Sequence, residues 1–500
     1  MHVVWFKRDL RVRDHRPLMA ACRSGEAVLC LYVFETGLWQ QPDADARHIH
    51  FINQSLRDLQ SSLKAIGGQL TVRIGEITDE LDAIHAERPI TVLHSHEETG
   101  TLWSFERDKA VGRWCKARNV RWIEQTQNGV IRRLKTRNGW ASQWRRRMNE
   151  RLQRTPPSIK PACGFDSMTL PAPGDFGLDD LTSPDNLQVG GEVAAHETLK
   201  SFFQDRGHNY HREMSSPATA SQGCSRMSPH LAWGTISIAH VYQSLQRQIR
   251  LVRQRGFREG EDETQRLTAL KAFEERLHWH CHFIQKLEDQ PDIENVNMHR
   301  SCDGLRPEAV DKRRLDAWKQ GRTGYPLVDA CMRAVRQTGW LNFRMRAMVV
   351  SFASYHLWLD WRTTSRWLAR MFTDYEPGIH YSQFQMQSGT TGISTVRIYN
   401  PIRQVHDQDL EGAFIRQWVP ELARVPTDQI AEPHRMSLAA QQQAGCLIGD
   451  DYPLPIVDHS KAYAAAHLAL KKVRRSEPSR EEARGVLERH GSRRARRPRR

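Results

Sequence analysis

Short apolar runs alternate with amphipathic stretches along the first 125 residues of the chain. Five runs have the length of buried strands: VVWF (3–6), AVLCLYVF (27–34), LTVRIG (70–75), ITVLHSHE (90–97) and VRWIEQ (120–125). The stretch HFINQSLRDLQSSLKAIG (50–67) is one of the amphipathic segments between them. Strands that alternate with helices in this way predict an α/β domain with a doubly wound parallel sheet.

Helical periodicity dominates from residue 196 to about residue 470. In PLVDACMRAV, Leu327, Ala330, Cys331 and Ala334 have the spacing of a helix's buried face, and Gly339 is predicted to end that helix. The segment between the two regions is rich in Pro and Gly, which predicts a long surface linker over 154–177. The predicted organisation has four parts: an α/β domain (1–130), a linker (131–195), an all-helical domain (196–470) and a disordered basic tail (471–500).

The composition, with 26% charged and 39% hydrophobic residues, is that of a globular protein. The chain contains no run of roughly 20 apolar residues, and its start does not resemble a secretion signal. We therefore expect a cytoplasmic protein without a membrane partner, associated with the nucleoid if the source is bacterial. The nine cysteines form no C-x-x-C pair, so reduced thiols are expected, although a cluster held by dispersed cysteines stays open.

Positive charge is concentrated at the C-terminus. Residues 471–500 contain 13 Lys and Arg against 4 Asp and Glu, which gives +9 and leaves +6 of the total +15 for residues 1–470. A basic run of this kind is either a solvated charge run or an attraction to nucleic-acid phosphates.

The stretch TGWLNFRMRAMVVSFASYHLWLDWR (338–362) predicts one buried helix that starts with Asn342, Arg344 and Arg346. The two arginines are two positions apart and point in nearly opposite directions, so they cannot share one ligand. A buried guanidinium needs a partner, because its desolvation is otherwise costly. Each arginine is therefore predicted to serve a different charged feature, unless both are ordinary ion-pairing residues.

An acidic candidate partner lies in MFTDYEPGIHYSQ. Asp374 and Glu376 are predicted to end a helix that Pro377 and Gly378 terminate. Acids at a helix C-terminus oppose the helix dipole, so a cation such as Arg346 is expected to answer them.

Two further segments contain candidate chemistry. In SQGCSRMSPHLAWGTIS, Ser228 before Pro229 is predicted to cap a helix, with Ser225 and Cys224 just ahead. Capping alone explains the serine, whereas a helix start with free hydroxyls also suits an anion.

The segment FEERLHWHCHFIQKLED spreads His278, His280 and His282 over different helix faces. Only the outer two have the spacing of zinc ligands, and no third ligand is evident, so no metal is predicted. Trp279 and Arg276 share a helix face, and an aromatic platform beside a cation suits stacking on a base or ring.

Taken together, several blocks resemble the photolyase/cryptochrome family: VVWFKRDLRVRDHRPL, GCSRMSPHLAWGTIS, WKQGRTGYPLVDACMRAVRQTGWLNFRMR, DWR and VRIYNPIRQ with EGAFIRQWVPEL. The resemblance implies an α/β antenna domain and a helical domain that holds a folded-back FAD. It implies blue or near-UV light-driven electron transfer from reduced FAD to a pyrimidine dimer flipped out of DNA, or signalling in a cryptochrome. A second, antenna chromophore (a folate, a deazaflavin or a flavin) is also implied, near HSHEETG (94–100).

The resemblance also implies the site residues. FAD contacts are implied at Tyr210, Cys224, Ser225, Arg226, Met227, Ser228, Phe273, Arg276, Trp340, Asn342, Phe343, Arg346, Asp374 and Glu376. DNA contacts are implied at Arg276, Trp279, His280, Arg344, Met386 and Gln404. Trp361 matches the middle residue of the family's electron-transfer tryptophans, and Trp279 and Arg344 are implied to act at the dimer.

This chain departs from the family at several of these positions. Arg276 and His280 replace the Glu and Arg of the usual E-L-x-W-R, and Cys224 replaces a threonine. Where the family has W-Q-W, YSQFQMQ puts Phe384 or Met386 in place of tryptophan. An alternative electron route through one of three other residues stays open: Trp358, Tyr381 or Tyr399.

Three functions follow as hypotheses. Six-four photolyases have two histidines where this chain has Phe343 and Ala347, so repair of cyclobutane pyrimidine dimers by a monomeric lyase bound to damaged DNA is favoured. The alternative is a cryptochrome-type blue-light photoreceptor without repair activity. A flavin-free protein that binds nucleic acid or nucleotide is the third.

Overall fold

The computed structural model describes residues 1–179, 184–259 and 261–491. A parallel sheet of order β3-β2-β1-β4-β5 forms the N-terminal domain. Its strands are β1 (His2–Phe6), β2 (Val28–Phe34), β3 (Leu70–Ile74), β4 (Val92–His96) and β5 (Arg121–Gln125). The strands lie within a residue or two of the predicted runs, so the prediction of a doubly wound α/β domain is confirmed.

Both faces of the sheet are covered, which explains the continuous apolar runs. All seven residues of β2 are buried. Cys30 and Tyr32 pack into the core on one face, and Leu29 and Leu31 pack into the core on the other. A strand that is buried on both faces needs apolar residues at every position rather than at alternate ones. The covering helices are α1 (Arg16–Arg23), α2 (Thr36–Trp39), α3 (Ala46–Ala65), α4 (Ile77–Glu87) and α5 (Leu102–Ala117).

The connecting segment contains α6 (Trp140–Met148) and then packs against the sheet domain. The backbone of Val28 donates to the Lys160 carbonyl and accepts from the Ala162 N–H. Ile159 and Phe165 are buried. The prediction of a surface linker over 154–177 is therefore wrong for 159–165, because its few apolar residues find a place on the α/β core.

The second half of the chain is helical, as predicted. Its helices are α7 (Glu192–Ser201), α8 (Tyr210–Glu213), α9 (Pro217–Gly223), α10 (Ser228–Ala232), α11 (Ile238–Glu259), α12 (Glu261–Asp289), α13 (Lys312–Gln320), α14 (Pro326–Thr338), α15 (Phe343–Ser351), α16 (Trp361–Met371), α17 (Pro377–Ser388), α18 (Pro401–Gln408), α19 (Ala413–Trp418), α20 (Leu438–Ala444), α21 (His459–Arg475) and α22 (Glu477–His490). Gly339, with φ 68°, ends α14 where the sequence predicted. Within the described residues, no helix is long and apolar enough to cross a membrane.

The prediction of one helix over 338–362 is wrong. Helix α15 ends at Ser351 and passes into a π-helical turn, Phe352–His356. Trp358 then adopts a positive φ of 56°, which breaks the helix, and Asp360 caps the start of α16. An apolar sequence was compatible with a continuous helix, and tertiary packing decided otherwise.

The prediction of a disordered tail over 471–500 is also wrong, at least as far as His490. Helix α21 continues to Arg475, and α22 packs against the body of the protein. Glu482 accepts hydrogen bonds from the backbone N–H groups of Arg300 and Ser301, and Val486 is buried among Leu287, Ile293 and Met298. The remainder of the predicted tail, 492–500, lies outside the described residues.

The two domains are joined by hydrogen bonds between distant parts of the chain. Leu10 N–H donates to the Trp233 carbonyl, and Arg11 Nη1 donates to the Gly234 carbonyl over 2.8 Å. Arg47 Nη1 donates to the Met371 carbonyl over 2.7 Å. His48 Nε2 lies 3.0 Å from the Phe372 carbonyl oxygen, at the loop between α16 and α17. These contacts set the sheet's carboxyl edge against the helical domain.

Candidate functional site

Arg346 and Asp374 form a bidentate ion pair at the centre of the helical domain. Arg346 Nη1 and Nη2 donate to the two Asp374 carboxylate oxygens over 2.9 and 2.7 Å, and Nε donates to the Leu341 carbonyl over 2.7 Å. The guanidinium also lies 4.0 Å from the Phe372 ring centroid. The Asp374 side chain is only 2% exposed. This paired geometry is strong and orientation-specific, and it gives Arg346 the partner that the sequence predicted.

The surroundings of Asp374 differ from the prediction. Helix α16 ends at Met371, so Asp374 and Glu376 lie in the following loop rather than at a helix C-terminus. Pro377 begins α17 instead of ending α16. Gly378 is needed inside α17 because a Cβ there would come within 2.5 Å of the Ile284 Cα. The two acids therefore do not oppose a helix dipole.

The segment 224–228 forms a tight turn before α10. Met227, not Ser228, occupies the N-cap position, and no side chain caps the helix, so the predicted Ser228 cap is wrong. The Ser225 hydroxyl accepts from Met227 N–H over 3.4 Å. Arg206 stabilises the turn, because its Nη1 donates a hydrogen bond to the Cys224 carbonyl over 2.5 Å. Sequence reasoning missed Arg206, because nothing in its local pattern connects it to a turn 18 residues away.

Arg226 projects from this turn in a left-handed conformation, with φ 59°. Its guanidinium lies 4.1 Å from the Trp340 ring centroid. Burial lowers the pKa of Arg226 to about 10, and the nearby negative charge of Asp374 opposes that shift. In the described part of the chain Arg226 forms no ion pair at contact distance. Its guanidinium is therefore a desolvated cation beside Trp340 that lacks a directly contacting carboxylate.

Tyr210, Phe273 and Asn342 complete the cluster. The rings of Tyr210 and Phe273 are 5.9 Å apart, and burial raises the pKa of the Tyr210 phenol while the charge of Arg276 opposes the shift. Asn342 Nδ2 donates to the carbonyls of Met214 and Ser215 over 3.0 and 2.9 Å. Asn342 Oδ1 is buried without a partner among the described residues. Such an orphaned acceptor marks a place where a ligand is expected.

These residues fit FAD. Arg226 would supply a cation for a diphosphate, Asn342 Oδ1 an unused acceptor, and Trp340 and Phe273 aromatic walls. The Arg346–Asp374 pair supplies a fixed dipole at the same place. Glu376, another of the implied cofactor residues, lines a cavity together with Arg8, whose Nη2 lies 3.9 Å from its carboxylate.

A second face lies on α12. Trp279 is 38% exposed, and its ring stacks on Phe283 at 5.6 Å and meets the edge of His282 at 5.1 Å. Phe343, at the start of α15, is 44% exposed and lies 5.2 Å from the Arg276 guanidinium. The structure therefore brings Trp279, Arg276 and Phe343 to an open surface beside the buried cluster.

Other implied DNA residues lie elsewhere. His280 lines a cavity of about 490 Å³ with Glu376, and burial lowers its pKa to about 4, so it is neutral at pH 7. Met386 and Gln404 lie on α17 and α18 and share no hydrogen bond or ring contact with Trp279 within the described ranges. Arg344 is partly buried, and its Nε finds no partner there.

Trp361 is fully buried at the start of α16 and donates from Nε1 to Asn297 Oδ1 over 2.8 Å. Phe384, one of the two residues that the resemblance puts in place of a tryptophan, is buried, and its ring lies 4.6 Å from that of His380. The hydroxyl of Tyr381, one of the alternative electron-transfer residues, lies 3.2 Å from that of Tyr375, which donates its hydrogen to the Asp43 carboxylate. The role of Trp361 in electron transfer and the route beyond it both stay predictions.

A larger cavity of about 730 Å³ lies between the carboxyl edge of the sheet and the helical domain. Its wall combines aromatic and charged side chains: Trp5, Trp39, Glu98, Arg107, Trp233 and Tyr375. Arg107 holds Glu35 and Glu98 over 2.9 and 2.7 Å. The segment HSHEETG contributes Glu98 and Gly100 to this wall, and its contact with an antenna chromophore stays a prediction.

Asp9, His15 and His96 form a buried cluster that the sequence did not reveal. Asp9 Oδ2 lies 3.0 Å from His15 Nε2 and 2.7 Å from His96 Nδ1. His15 Nδ1 accepts from the Leu18 N–H over 3.1 Å, so its Nε2 must be the protonated nitrogen that donates to Asp9. The nitrogen facing the carboxylate is therefore a donor, and we interpret the cluster as a structural junction between β1, α1 and β4.

The α/β domain docks on a helical domain that contains Arg226, Asn342 and the Arg346–Asp374 pair. Together they define a two-domain protein with a site that fits FAD. The family description "DNA photolyase" matches residues 2–155, and "FAD binding domain of DNA photolyase" matches residues 273–472. The chain is 30% identical to deoxyribodipyrimidine photo-lyase of Escherichia coli over 95% of its own length and 99% of that protein. It belongs to the photolyase/cryptochrome family, and FAD is its cofactor.

The relatives include both functional branches. Cryptochrome DASH of Synechocystis is 27% identical, with 93% of this chain and 96% of that protein covered. A crystal structure of a bacterial class III photolyase from Agrobacterium tumefaciens superposes with a TM-score of 0.82 at 27% identity, covering 95% of this chain and 98% of the other. Family membership therefore does not distinguish a repair enzyme from a photoreceptor. That distinction has to come from the residues of the site.

Proposed function

We propose that this protein is a light-dependent lyase that splits cyclobutane pyrimidine dimers in DNA. The carrying observation is the open surface of Trp279, Arg276 and Phe343 directly beside the buried cluster of Arg346, Asp374 and Asn342. When bound there in its reduced form, FAD supplies the electron that blue or near-UV light transfers to the dimer. The protein's task is to hold the lesion and the cofactor next to each other.

The exposed ring of Trp279 is suited to stack on an extruded base. Extrusion costs a few kcal/mol, and less for a dimer, because the lesion already weakens base pairing. Stacking on an aromatic ring returns about 1–3 kcal/mol per base. Cations such as Arg344 hold the flanking phosphates, which makes binding sensitive to salt.

The Arg346–Asp374 pair fixes the electrostatic field at the cofactor. Its bidentate geometry leaves the pair little freedom to rotate, and Asp374 is almost fully buried. A preorganised charge pair favours one redox state of a bound flavin over another without reorganising during the reaction.

The cavity of about 730 Å³ is the proposed place of a second chromophore. Trp5, Trp39 and Trp233 offer apolar surfaces to a planar ring, and Arg107 and Glu98 offer polar contacts at its rim. This combination is typical of sites for conjugated cofactors. A folate, a deazaflavin and a flavin all have such rings.

The deciding experiment uses the purified full-length chain. Its absorption spectrum is recorded, and DNA with one defined thymine dimer is then incubated with reduced protein in blue light and in the dark. We expect monomeric thymines to appear only in the light, as measured by chromatography. A yellow protein that leaves the dimer intact in both conditions would contradict the repair proposal.

A cryptochrome-type photoreceptor is the second candidate. The feature that favours it is YSQFQMQ, in which Phe384 or Met386 stands where the resemblance implies a redox-active tryptophan. A light-dependent change in flavin state, together with intact dimers, would favour this alternative.

A further inference from the structure

Arg276 presents hydrogen-bond donors on the open surface described above. Its guanidinium lies 5.2 Å from the Phe343 ring centroid, and Nη2 contacts Met214 Sδ at 3.9 Å. Trp279 follows three positions later in α12, so the two side chains project from the same helix face. Trp279 and Phe343 are 38% and 44% exposed. An extruded base that stacks on Trp279 would therefore bring its polar edge towards Arg276.

Most donors of Arg276 are unused. Within the part of the chain that the structure describes, it forms no ion pair, and its polar contacts are the Met214 sulfur and the Tyr210 hydroxyl. A thioether is a weak acceptor. A guanidinium has several N–H donors and no acceptor at all, so a ligand that completes this surface must offer lone pairs.

We propose that Arg276 reads the acceptor atoms on the edge of the extruded pyrimidine, so that the site accepts cytosine-containing dimers as readily as thymine dimers. Thymine offers the carbonyl oxygens O2 and O4, and cytosine offers O2 and the unprotonated N3. A carboxylate facing the middle of the edge could only accept: it would pair with the N3–H of thymine but would meet the N3 lone pair of cytosine, whose one donor on that edge is the N4 amino group. This inference rests on the proposed repair function and specifies its substrate class.

Two other partners present the same acceptor chemistry. A backbone phosphate of the lesion strand could occupy the donors of Arg276, and so could the diphosphate of FAD. A contact between Arg276 and either of these phosphates would have the same strength whichever pyrimidine is dimerised. The ratio between two lesions therefore separates base reading from both alternatives.

The test compares DNA containing one thymine–thymine dimer with DNA containing one thymine–cytosine dimer. The latter is used freshly prepared, with mass spectrometry to show that the cytosine amino group is intact. Dissociation constants in the dark and single-turnover repair rates in blue light are measured for each. We expect the wild-type protein to treat the two lesions within about threefold of each other, because both present acceptors to Arg276.

Three variants make the comparison specific. Arg276→Glu reverses the hydrogen-bonding sense, and should bind and repair the thymine–cytosine dimer about tenfold or more less well than the thymine dimer. Arg276→Gln can donate and accept, so it should keep the ratio within about threefold. Arg276→Lys keeps donors only, and should also preserve the ratio while weakening both lesions, because it lacks the planar fork of arginine.

Each contrary outcome has a distinct meaning. A wild-type preference of about tenfold or more for the thymine dimer would overturn the inference. An Arg276→Glu variant that weakens both lesions equally would assign the side chain to a phosphate instead. Loss of bound FAD in that variant would assign Arg276 to the cofactor. If neither lesion is repaired by any form, the lyase proposal fails, whereas the dark binding ratio still decides what Arg276 reads.

Discussion

Gly234 lies directly against the carbonyl of Arg8, where the two domains meet. A Cβ at residue 234 would come within 2.0 Å of that oxygen, and the glycine has a positive φ of 64°. Both observations require glycine, since an L-residue would be strained and would also push the domains apart.

Gly234→Ala should therefore destabilise the protein by about 2 kcal/mol or more and lower the temperature of flavin release. Thermal denaturation followed by flavin fluorescence measures this. The matched control is Gly485→Ala in α22, where no atom lies within 4 Å of the added methyl group. That variant should be neutral or stabilise by roughly 0.5–1 kcal/mol, and equal destabilisation by both substitutions would contradict our account.

Asp374→Asn should loosen FAD and destabilise the fold. The substitution keeps the shape of the side chain but leaves the Arg346 guanidinium without its anion, at a cost of about 3 kcal/mol. The FAD-to-protein ratio after gel filtration and the flavin's reduction in light are the measurements.

A second bidentate pair provides the comparison. Arg333 Nη1 and Nη2 both lie 2.8 Å from the Glu421 carboxylate, but the two side chains are 19% and 27% exposed. Glu421→Gln should cost about 1 kcal/mol and leave FAD in place. If both variants retain FAD equally, the Arg346–Asp374 pair is not part of the cofactor site.

Trp279→Ala should weaken binding of dimer-containing DNA without releasing FAD. Loss of one stacking platform costs about 1–3 kcal/mol, or roughly 5- to 150-fold in the dissociation constant. Trp279→Phe keeps an aromatic face and should recover most of the affinity. Loss of flavin in the alanine variant would place Trp279 in the cofactor site instead.

Acid should loosen the C-terminal helices. Burial lowers the pKa of His356 to about 3 and that of His490 to about 3, and Lys286 and Arg137 add to the shift at His490. The folded state therefore binds fewer protons than the unfolded state below pH 6.5. Above pH 6.5 these two histidines are neutral in both states, so they do not lower the free energy of unfolding. As the pH falls below 6.5, each histidine lowers the free energy of unfolding by up to about 1.4 kcal/mol per pH unit.

Hydrogen exchange at pH 7.5 and pH 5.0 should show this loss in 459–490. His356 contacts His459 Nδ1 over 2.9 Å, and His490 contacts Gln290 Oε1 over 2.8 Å, so both latch these helices to the body. His490→Gln removes one titrating group and should flatten the pH dependence of exchange in α22. Unchanged pH dependence in that variant would exclude His490 as a latch.

Removal of 492–500 should reduce the affinity for undamaged DNA. These nine residues contain six arginines, so their loss should lower the slope of log affinity against log salt by up to about 5. Replacement of the six arginines by glutamine, at unchanged length, is the matched control. A salt slope that stays the same in both variants would show that this segment does not contact DNA. A longer deletion from 472 would also remove α22 and its packing.

The architecture was predictable because its signals are local. Each strand is a continuous apolar run, and Gly339 marks a helix end by its backbone preference alone. Helix α22 was missed because it buries little: of its side chains, those of Ser479, Val486 and His490 are buried, in a strongly charged sequence.

The site was predictable only in part. Arg346 and Asp374 could be paired from charge and burial, since each needed the other. The cluster of Asp9, His15 and His96 gave no signal, because His96 joins it only through the parallel pairing of β1 and β4. Likewise, the break at Trp358 depends on packing that no window of the sequence contains.

The hydrogen bonds of Arg47 and His48 have a consequence for biosynthesis. Both side chains are buried, yet the carbonyls of Met371 and Phe372 that receive them emerge from the ribosome 324 residues later. At about 5–20 residues per second, the nascent N-terminal domain waits roughly 15–65 s for these acceptors. During that interval the docking edge around Arg47 and His48 is exposed, because the carbonyls that these side chains contact in the folded protein have not yet been synthesised.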